Sequence, residues 1–596
     1  MSDRVGFLCN GAPVEVDLAP GESLLSVLRE RLGLVSAKDG CAPQGQCGCC
    51  TVLVDGDARV ACVTPAARVD GRDVTTIEGL DPATRDGIAG AFVATGGSQC
   101  GFCTPGIVMR AASLLAKGRT RRADVDRGLA AHLCRCTGWQ TVYEAIDAAA
   151  SEVVDAAASE VVDAAASEVV DTASSRSRPA LRQNLDAAAR RAELEGGARQ
   201  RVGIDVPLGG GGFADDVAPR DALVAVPCPT GSTVDAVDAA GMRWVVAESV
   251  ADARAEAGKV QGRRTTIDER PPLPPPDLPP GGVRLATGWV EPAYLEPDAS
   301  WCEPGAEPST PLANGGAFGG KESSPVSEAA RALADRLGRA VRVVLSREDV
   351  VRLGPKRPPI GAAAVYEEGA VDVRGRVVAG AGSFADAAIT PYRLEVRQQW
   401  EAVPVAGPPV SLHLRAAGLA ELAVLVEGAL DEVGADRRAL VADDRAAGVL
   451  LDSCAAAPGG ARAGARVRLE DSGALERVEV RVAAGDPLDE VVLRSYAVGA
   501  AHMALGWVLS EGIAVDPDTG EVHDLTIRSF GVIRAKDTPP IDVTVVADDG
   551  APRPRSSDAV FAAVAAAAWN AVTRAEGARP EAFPARGTRA ARRLRR

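Results

Sequence analysis

Cysteine placement constrains this chain more than any other feature. Ten of its 13 cysteines fall within the first 136 residues, eight of them in two sets. The first is Cys41-x5-Cys47-x2-Cys50, with Cys62 following after eleven residues; the second is Cys100-x2-Cys103 and, thirty residues later, Cys134-x-Cys136. A secreted disulfide scaffold would be shorter and would carry a signal peptide, so metal ligation is the better reading. Three thiolates on one loop plus a fourth from a nearby strand satisfy plant-type [2Fe–2S] ligation. Two glycines in APQGQCG let that loop fold around sulfide and aim amide N–H groups at it. Cys49, between ligands, is read as facing away, and Cys9 as core. In the second set, Cys100 and Cys103 stand before the helix TPGIVMRAASLL, where Pro105 suits the first turn. Cys134 and Cys136 close the helix LAAHLCRC and precede another. Two helix starts would then turn partial positive charge toward one anionic cluster. Zinc held by four thiolates is the alternative for this pair.

A length of 596 residues suggests three to five domains. Residues 1–80 alternate short strands with turns around one helix, SLLSVLRERLGL, and VDGD reads as an Asp-Gly hairpin turn. Residues 81–150 read as a small helical module. Because both cysteine sets close within 1–150, that stretch is expected to fold by itself. DAAASEVV then occurs three times from Asp147 to Val170. An eight-residue period keeps no coiled-coil seam, so 151–180 reads as a spacer. Residues 181–270 mix strands with one helix, 271–282 is a proline-rich connector, 283–585 is a large α+β body, and 586–596 is a basic tail read as solvated.

Apolar residues at 46% and charged residues at 25% describe a globular chain. A net charge of −15 argues against a nucleic-acid partner. No window approaches eighteen unbroken apolar residues, so no membrane span is expected. The N-terminus lacks the pattern of a signal peptide, which places the chain in the cytoplasm.

KDGCAPQGQCGCCTVLVDG and QCGFCTPG with HLCRCTGW resemble the iron–sulfur portion of the xanthine dehydrogenase/aldehyde oxidase family of molybdenum hydroxylases, almost continuously over 1–150. One departure is the first loop, where Cys41 and Cys47 enclose five residues and the family has four. Downstream, VEPAYLEPDASWCEPG, NGGAFGGKESSPV, VVLSREDVVRLGPKRPP, LHLRAAGLAELAVLVEGALDE and AVGAAHMALGWVLSEGIAVDPDTGEV resemble successive segments of the family's molybdenum portion, in its order. The resemblance implies a β-grasp ferredoxin-like domain, a four-helix [2Fe–2S] domain, an α/β-hammerhead-like segment and a molybdopterin-binding α+β body shortened between about 360 and 490. It implies two [2Fe–2S] clusters and a molybdenum–molybdopterin cofactor in its cytosine dinucleotide form. The cofactor would lie near Gly316, Phe318, Gly319 and Arg415. A glycine-rich loop with one bulky side chain, Gly315 to Gly320, lets backbone approach a large flat ligand; a surface turn is the bland alternative.

The family carries a catalytic glutamate in a glycine-bracketed motif near its C-terminus. Here that stretch reads PRPRSSDAVFAAVAAAAWNAV, the glycines are absent, and Asp558 is the nearest carboxylate. The competing reading makes Asp558 the N-cap of the helix that follows. Glu511 is the next carboxylate to consider. No flavin domain is recognised. The expectation is an oxidoreductase that hydroxylates an aldehyde or N-heterocycle and passes electrons through two clusters to a separate flavoprotein or other acceptor. A homodimer is compatible with it. The alternative is an iron–sulfur electron-transfer protein with an inactive large body.

Overall fold

The computed structural model describes residues 3–594 apart from 42, 152–183, 230, 259–268, 278–280, 314–316, 385–389 and 524. All but the start of the DAAASEVV repeat and part of the 271–282 connector lie outside the described residues, as does Gly316.

Five strands build the N-terminal sheet: β1 (Asp3–Cys9), β2 (Ala12–Leu18), β3 (Thr51–Val54), β4 (Asp57–Val60) and β5 (Asp73–Thr75), in the order β2-β1-β5-β3-β4. The VDGD turn closes β3 on β4 with Asp55 and Gly56 both at positive φ, 51° and 76°, the type I′ geometry that matches strand twist. The expected helix runs over 24–31, taking π spacing from Val27. It buries Leu24, Val27 and Leu28 with Val5, Phe7 and Val52 of the sheet.

The second module contains α1 (Pro82–Thr95), α2 (Thr104–Ala116), α3 (Arg122–Gly128) and α4 (140–151). Asp81 caps α1 by accepting the Thr84 amide at 2.9 Å, and Gly96 ends it in the left-handed region. After the undescribed stretch comes α5 (Leu185–Gly196).

Strands β6 (Leu223–Pro227), β7 (Val237–Ala239) and β8 (Met242–Ala247) precede the proline-rich connector. Strands β9 (Val283–Thr287) and β10 (Asp298–Cys302), helix α6 (Val326–Leu337) and strand β11 (Val341–Leu345) follow it. The second sheet nevertheless runs β10-β11-β6-β8-β7, with β11 parallel to β6. The boundary expected at 271–282 therefore does not separate two folding units. Four of the five residues of β6 are buried, so the strand needs neighbours on both edges, and β11 from beyond the connector supplies one.

Strands β12 (Ile360–Glu367), β13 (Ala370–Val378) and β14 (Glu395–Val403) lead to α7 (Leu419–Glu432). A further sheet, β15 (Ser453–Ala456), β16 (Arg462–Leu469), β17 (Leu475–Ala483) and β18 (Ile541–Val545), brackets α8 (Glu490–Leu509) in sequence. Helix α9 (Ser556–Glu576) precedes β19 (Ala582–Phe583), which closes the sheet β14-β13-β12-β9-β19. Helices α8 and α9 are apolar on nearly all faces and form the centre of the body, Trp507 against Phe561 at 5.6 Å. Among the described residues α8 alone is long and apolar enough to cross a bilayer, and it is buried inside the protein. The basic tail is not solvated throughout. Its residues Arg589–Leu594 form a helix that buries Ala590 and Ala591, and Arg589 donates to the Asp471 carbonyl at 2.9 Å. The whole is a multidomain α+β fold.

Candidate functional site

The first cysteine set forms as the spacing requires. Cys41 to Cys50 lie on the loop before β3, and Cys62 sits on the 3-10 turn 61–63 that directly follows β4. The Cys41 thiol contacts those of Cys47 and Cys62, and Cys62 also meets Cys50. Backbone amides point at sulfur, Gln44 N–H at Cys41 Sγ and Cys62 N–H at Cys50 Sγ, each 3.4 Å. Cys49 does not face away: it is fully buried, touches the Cys47 thiol, and lies within electrostatic range of Cys103 and Cys134. Cys9 is buried in the N-terminal core, where burial pushes its thiol up to about 11.

In the second set, Cys136 Sγ lies 3.5 Å from Cys100 Sγ, and the Cys103 thiol contacts Cys134. Cys134 and Cys136 are not on a helix. Helix α3 ends at Gly128, a 3-10 turn takes the chain to Ala131, and the two cysteines follow on a loop. Tertiary bonds win over the helical period: Leu133 donates its amide to the Cys47 carbonyl at 2.9 Å, and the buried His132 ring reaches Thr51 Oγ1 at 3.2 Å. In the second set the thiols meet in twos, Cys100 with Cys136 and Cys103 with Cys134, which suits two iron atoms that each take two thiolates.

Residues 1–150 are docked on the large body at several points. Arg135, between Cys134 and Cys136, buries its guanidinium in a bidentate pair with Glu511 at 2.5 and 2.7 Å and donates to the Pro292 carbonyl at 2.9 Å. Glu511 is thereby engaged. Gln99 joins the Cys136 carbonyl at 3.0 Å to Ser495 of α8 at 2.9 Å. Gly499 of α8 packs so closely that a Cβ there would lie 1.7 Å from the Cys136 carbonyl oxygen. On the sheet module, Arg29 pairs with Asp215 at 2.8 Å and Asp216 at 3.0 Å, and the buried Lys38 also binds Asp216.

Phe318, Gly319, Arg415 and Asp558 line one cavity of about 370 Å3. Phe318 takes a left-handed φ of 57°, and its carbonyl accepts the Arg415 amide at 3.0 Å. The Arg415 guanidinium lies 4.5 Å over the Phe318 ring and 5.8 Å from that of Tyr496. Only glycine fits at 319, where φ is 86° and a Cβ would stand 2.0 Å from the His413 carbonyl oxygen. Asp558 accepts the Ala416 amide. Burial raises its carboxyl to about 6 against the opposing pull of Arg415 and Arg555.

Asp558 is not the N-cap. Arg555, at φ 56°, precedes α9, and Asp558 sits inside the first turn. The cap comes from α5: Glu195 accepts the Ser557 amide at 2.7 Å and the Ser556 hydroxyl, while pairing with buried Arg191. The capping role of Glu195 carries no local sequence signal, because Ser556 and Ser557 lie 361 and 362 positions away. A second, narrow cavity of about 40 Å3 shares Phe318 and Arg415 with the first and reaches Cys100 and Cys136.

Comparison with known proteins concerns the two N-terminal modules and the fold as a whole. The 2Fe-2S iron-sulfur cluster binding domain matches residues 7–74 and the [2Fe-2S] binding domain residues 76–147. The xanthine dehydrogenase iron-sulfur-binding subunit of Escherichia coli O157:H7 is 42% identical over 151 residues, 24% of this chain and 94% of that subunit. An aldehyde oxidoreductase of Megalodesulfovibrio gigas is 47% identical over 136 residues, 22% of this chain but 15% of that protein. The solved aldehyde oxidoreductase from Desulfovibrio gigas superposes over 98% of this chain and 99% of its own, with a TM-score of 0.72 at 16% identity, a likeness of fold. Two [2Fe–2S] domains docked on a large α+β body define an iron–sulfur oxidoreductase class. The chain belongs to the xanthine dehydrogenase/aldehyde oxidase family of molybdenum hydroxylases.

Proposed function

We propose that the chain hydroxylates an aldehyde or an N-heterocycle with oxygen from water, using molybdenum, and passes the electrons through two [2Fe–2S] clusters to an external acceptor. One observation carries the reading: Phe318 and Arg415 form a wall common to the cavity that holds Asp558 and the cavity that reaches Cys100 and Cys136. Oxidation in the wider cavity would thus take place next to the second cysteine set.

Cys100, Cys103, Cys134 and Cys136 are assigned to the cluster that receives electrons first, and Cys41, Cys47, Cys50 and Cys62 to the cluster that passes them on. At about 40 Å3 the narrow cavity has room for a water-sized group, so its lining would meet only an edge of a molybdopterin held at the shared wall. Beside Gln99 and Gln200, the buried Tyr496 hydroxyl faces this cavity without a hydrogen-bond partner among the described residues. Phe318, Gly319 and Arg415, with Gly316, are assigned to hold that cofactor. When bound, it supplies the two-electron oxidation. The cytosine dinucleotide form rests on family resemblance alone. Asp558 is assigned the proton-accepting role, since a carboxyl held near 6 is matched to base catalysis around neutral pH.

The proposal also covers architecture and setting: a β-grasp ferredoxin-like domain over 1–80, a four-helix domain over 81–150, and a shortened molybdopterin body whose hammerhead-like part includes the β6–β8 segment. A separate flavoprotein as acceptor, a homodimer and a cytoplasmic location belong to it as well. Metal analysis of the purified chain tests the reading. Molybdenum together with iron is the expected result; iron alone would make the chain an electron-transfer protein with an inactive body.

A further inference from the structure

Two arginines line the 370 Å3 cavity, Arg415 and, just before α9, Arg555. Neither has an ion pair within 4 Å among the described residues. Arg415 is 7% exposed, and its guanidinium donates to the Met503 sulfur at 3.5 Å, a weak acceptor. Arg555 is exposed, yet its backbone is held firmly. Its φ is 56°, a conformation that costs a non-glycine residue energy, and its amide donates to the Leu194 carbonyl at 2.9 Å. Arg555 thus brings a cationic residue to the cavity's lining at the point where α9 begins.

The carboxylates around the same cavity are mostly committed elsewhere. Glu195 is taken by Arg191 and the α9 amides, and Glu322 lies 3.0 Å from His413 Nδ1. Asp558 stands in the field of both arginines, and Glu193 is exposed at the rim. Asp558 already accepts the Ala416 amide, which leaves the two guanidinium groups with donors in excess of local acceptors.

We propose that this cavity selects an anionic substrate, a carboxylate-bearing aldehyde or N-heterocycle, and that Arg555 is the residue that pairs with its carboxylate. The inference rests on the oxidoreductase reading of the same site. Arg555 acts on specificity: its fork of donors matches a carboxylate in a bidentate way that a neutral substrate cannot use.

Two measurements on the full-length, metal-loaded chain test it. The first compares kcat/KM for para-formylbenzoate and for benzaldehyde, which present the same reacting group. The wild type should prefer the anion, and Arg555→Gln should lower the ratio of the two constants roughly five- to fiftyfold. Arg555→Lys, which keeps the charge but loses the fork, should fall between them. Iron content checks that each variant folds. The second measurement is calorimetric binding of terephthalate, which needs no turnover. It should bind the wild type, weaken with added salt, and weaken further in Arg555→Gln. An unchanged ratio in Arg555→Gln, a preference for benzaldehyde, or terephthalate that binds neither protein or both equally would overturn the proposal. A chain that oxidises neither aldehyde and holds no molybdenum would refute the oxidoreductase reading instead, and terephthalate binding would still decide whether the cavity is an anion site.

Discussion

Glu195 and Ser557 stand 362 positions apart, and the carboxylate of one accepts the amide of the other at 2.7 Å. This contact starts α9, the central helix of the body, with a cap from another part of the chain. It also holds Arg191, which is completely buried. Glu195→Ala should therefore cost about 3–5 kcal/mol, because a buried guanidinium is left without its counter-charge. Glu195→Gln keeps an acceptor for Ser557 and should cost less. Urea unfolding checks both, as a lower midpoint at unchanged slope.

Glu511 is bound in two places to Arg135, in the middle of the Cys134–Cys136 loop. Glu511→Ala should weaken the chain by about 3–5 kcal/mol and disturb the second cluster's electron paramagnetic resonance signal before the first. Glu511→Gln, which still accepts from Arg135, should keep both signals and most turnover. Turnover abolished in Glu511→Gln with both clusters intact would mark Glu511 as the base.

Gly499 sets the distance between α8 and the cluster loop. Gly499→Ala places a methyl 1.7 Å from the Cys136 carbonyl oxygen, and backbone cannot yield as a flexible side chain does. The expected result is loss of the second cluster with the first retained, read by iron content and electron paramagnetic resonance. A matched Gly90→Ala, where nothing lies within 4 Å, should be neutral or slightly stabilising.

The two thiol sets should behave as separate sites. Cys103→Ser is expected to abolish one [2Fe–2S] signal of the reduced protein and leave the other largely intact. Cys49→Ala, at a buried thiol outside both sets, should leave both signals present, though shifted. Loss of both signals together in Cys103→Ser would mean that the sets do not assemble independently.

Asp558 carries a pH signature. Its carboxyl is carried from 3.8 to about 6 by burial, so between those values the folded chain binds a proton that the unfolded chain has released. This residue's contribution to stability therefore falls as pH rises through that window and levels off above about 6. The cost at neutral pH is on the order of 3 kcal/mol. Asp558→Asn should remove this dependence and raise stability at pH 7. If Asp558 is the base, wild-type turnover should decline below about pH 6, and the Asn variant should lose turnover while retaining both metals.

Legibility from sequence followed range of interaction. The first cysteine set, the Asp55-Gly56 hairpin and the start of α2 at Pro105 were all readable, because each is decided by residues within a few positions of one another. The same reasoning failed where neighbours in space overrode local period. LAAHLCRC reads as helix, yet Leu133 is drawn to Cys47 and His132 to Thr51, so the second pair of cysteines lies on a loop. SSD reads as a cap, yet the α9 amides are taken by Glu195.

By itself, then, the sequence determined which side chains could ligate iron, where most turns and helix starts fall, and which family's pattern the chain follows, since those depend on residue type and short spacing. Tertiary structure alone decided that the cluster modules dock through Arg135, Gln99 and Gly499, that β6 is completed by a strand from beyond the proline-rich connector, and that Phe318, Arg415, Arg555 and Asp558 share one cavity. These contacts join residues tens to hundreds of positions apart. They depend on close packing between whole elements, and no local periodicity encodes which distant surface will fill a given gap.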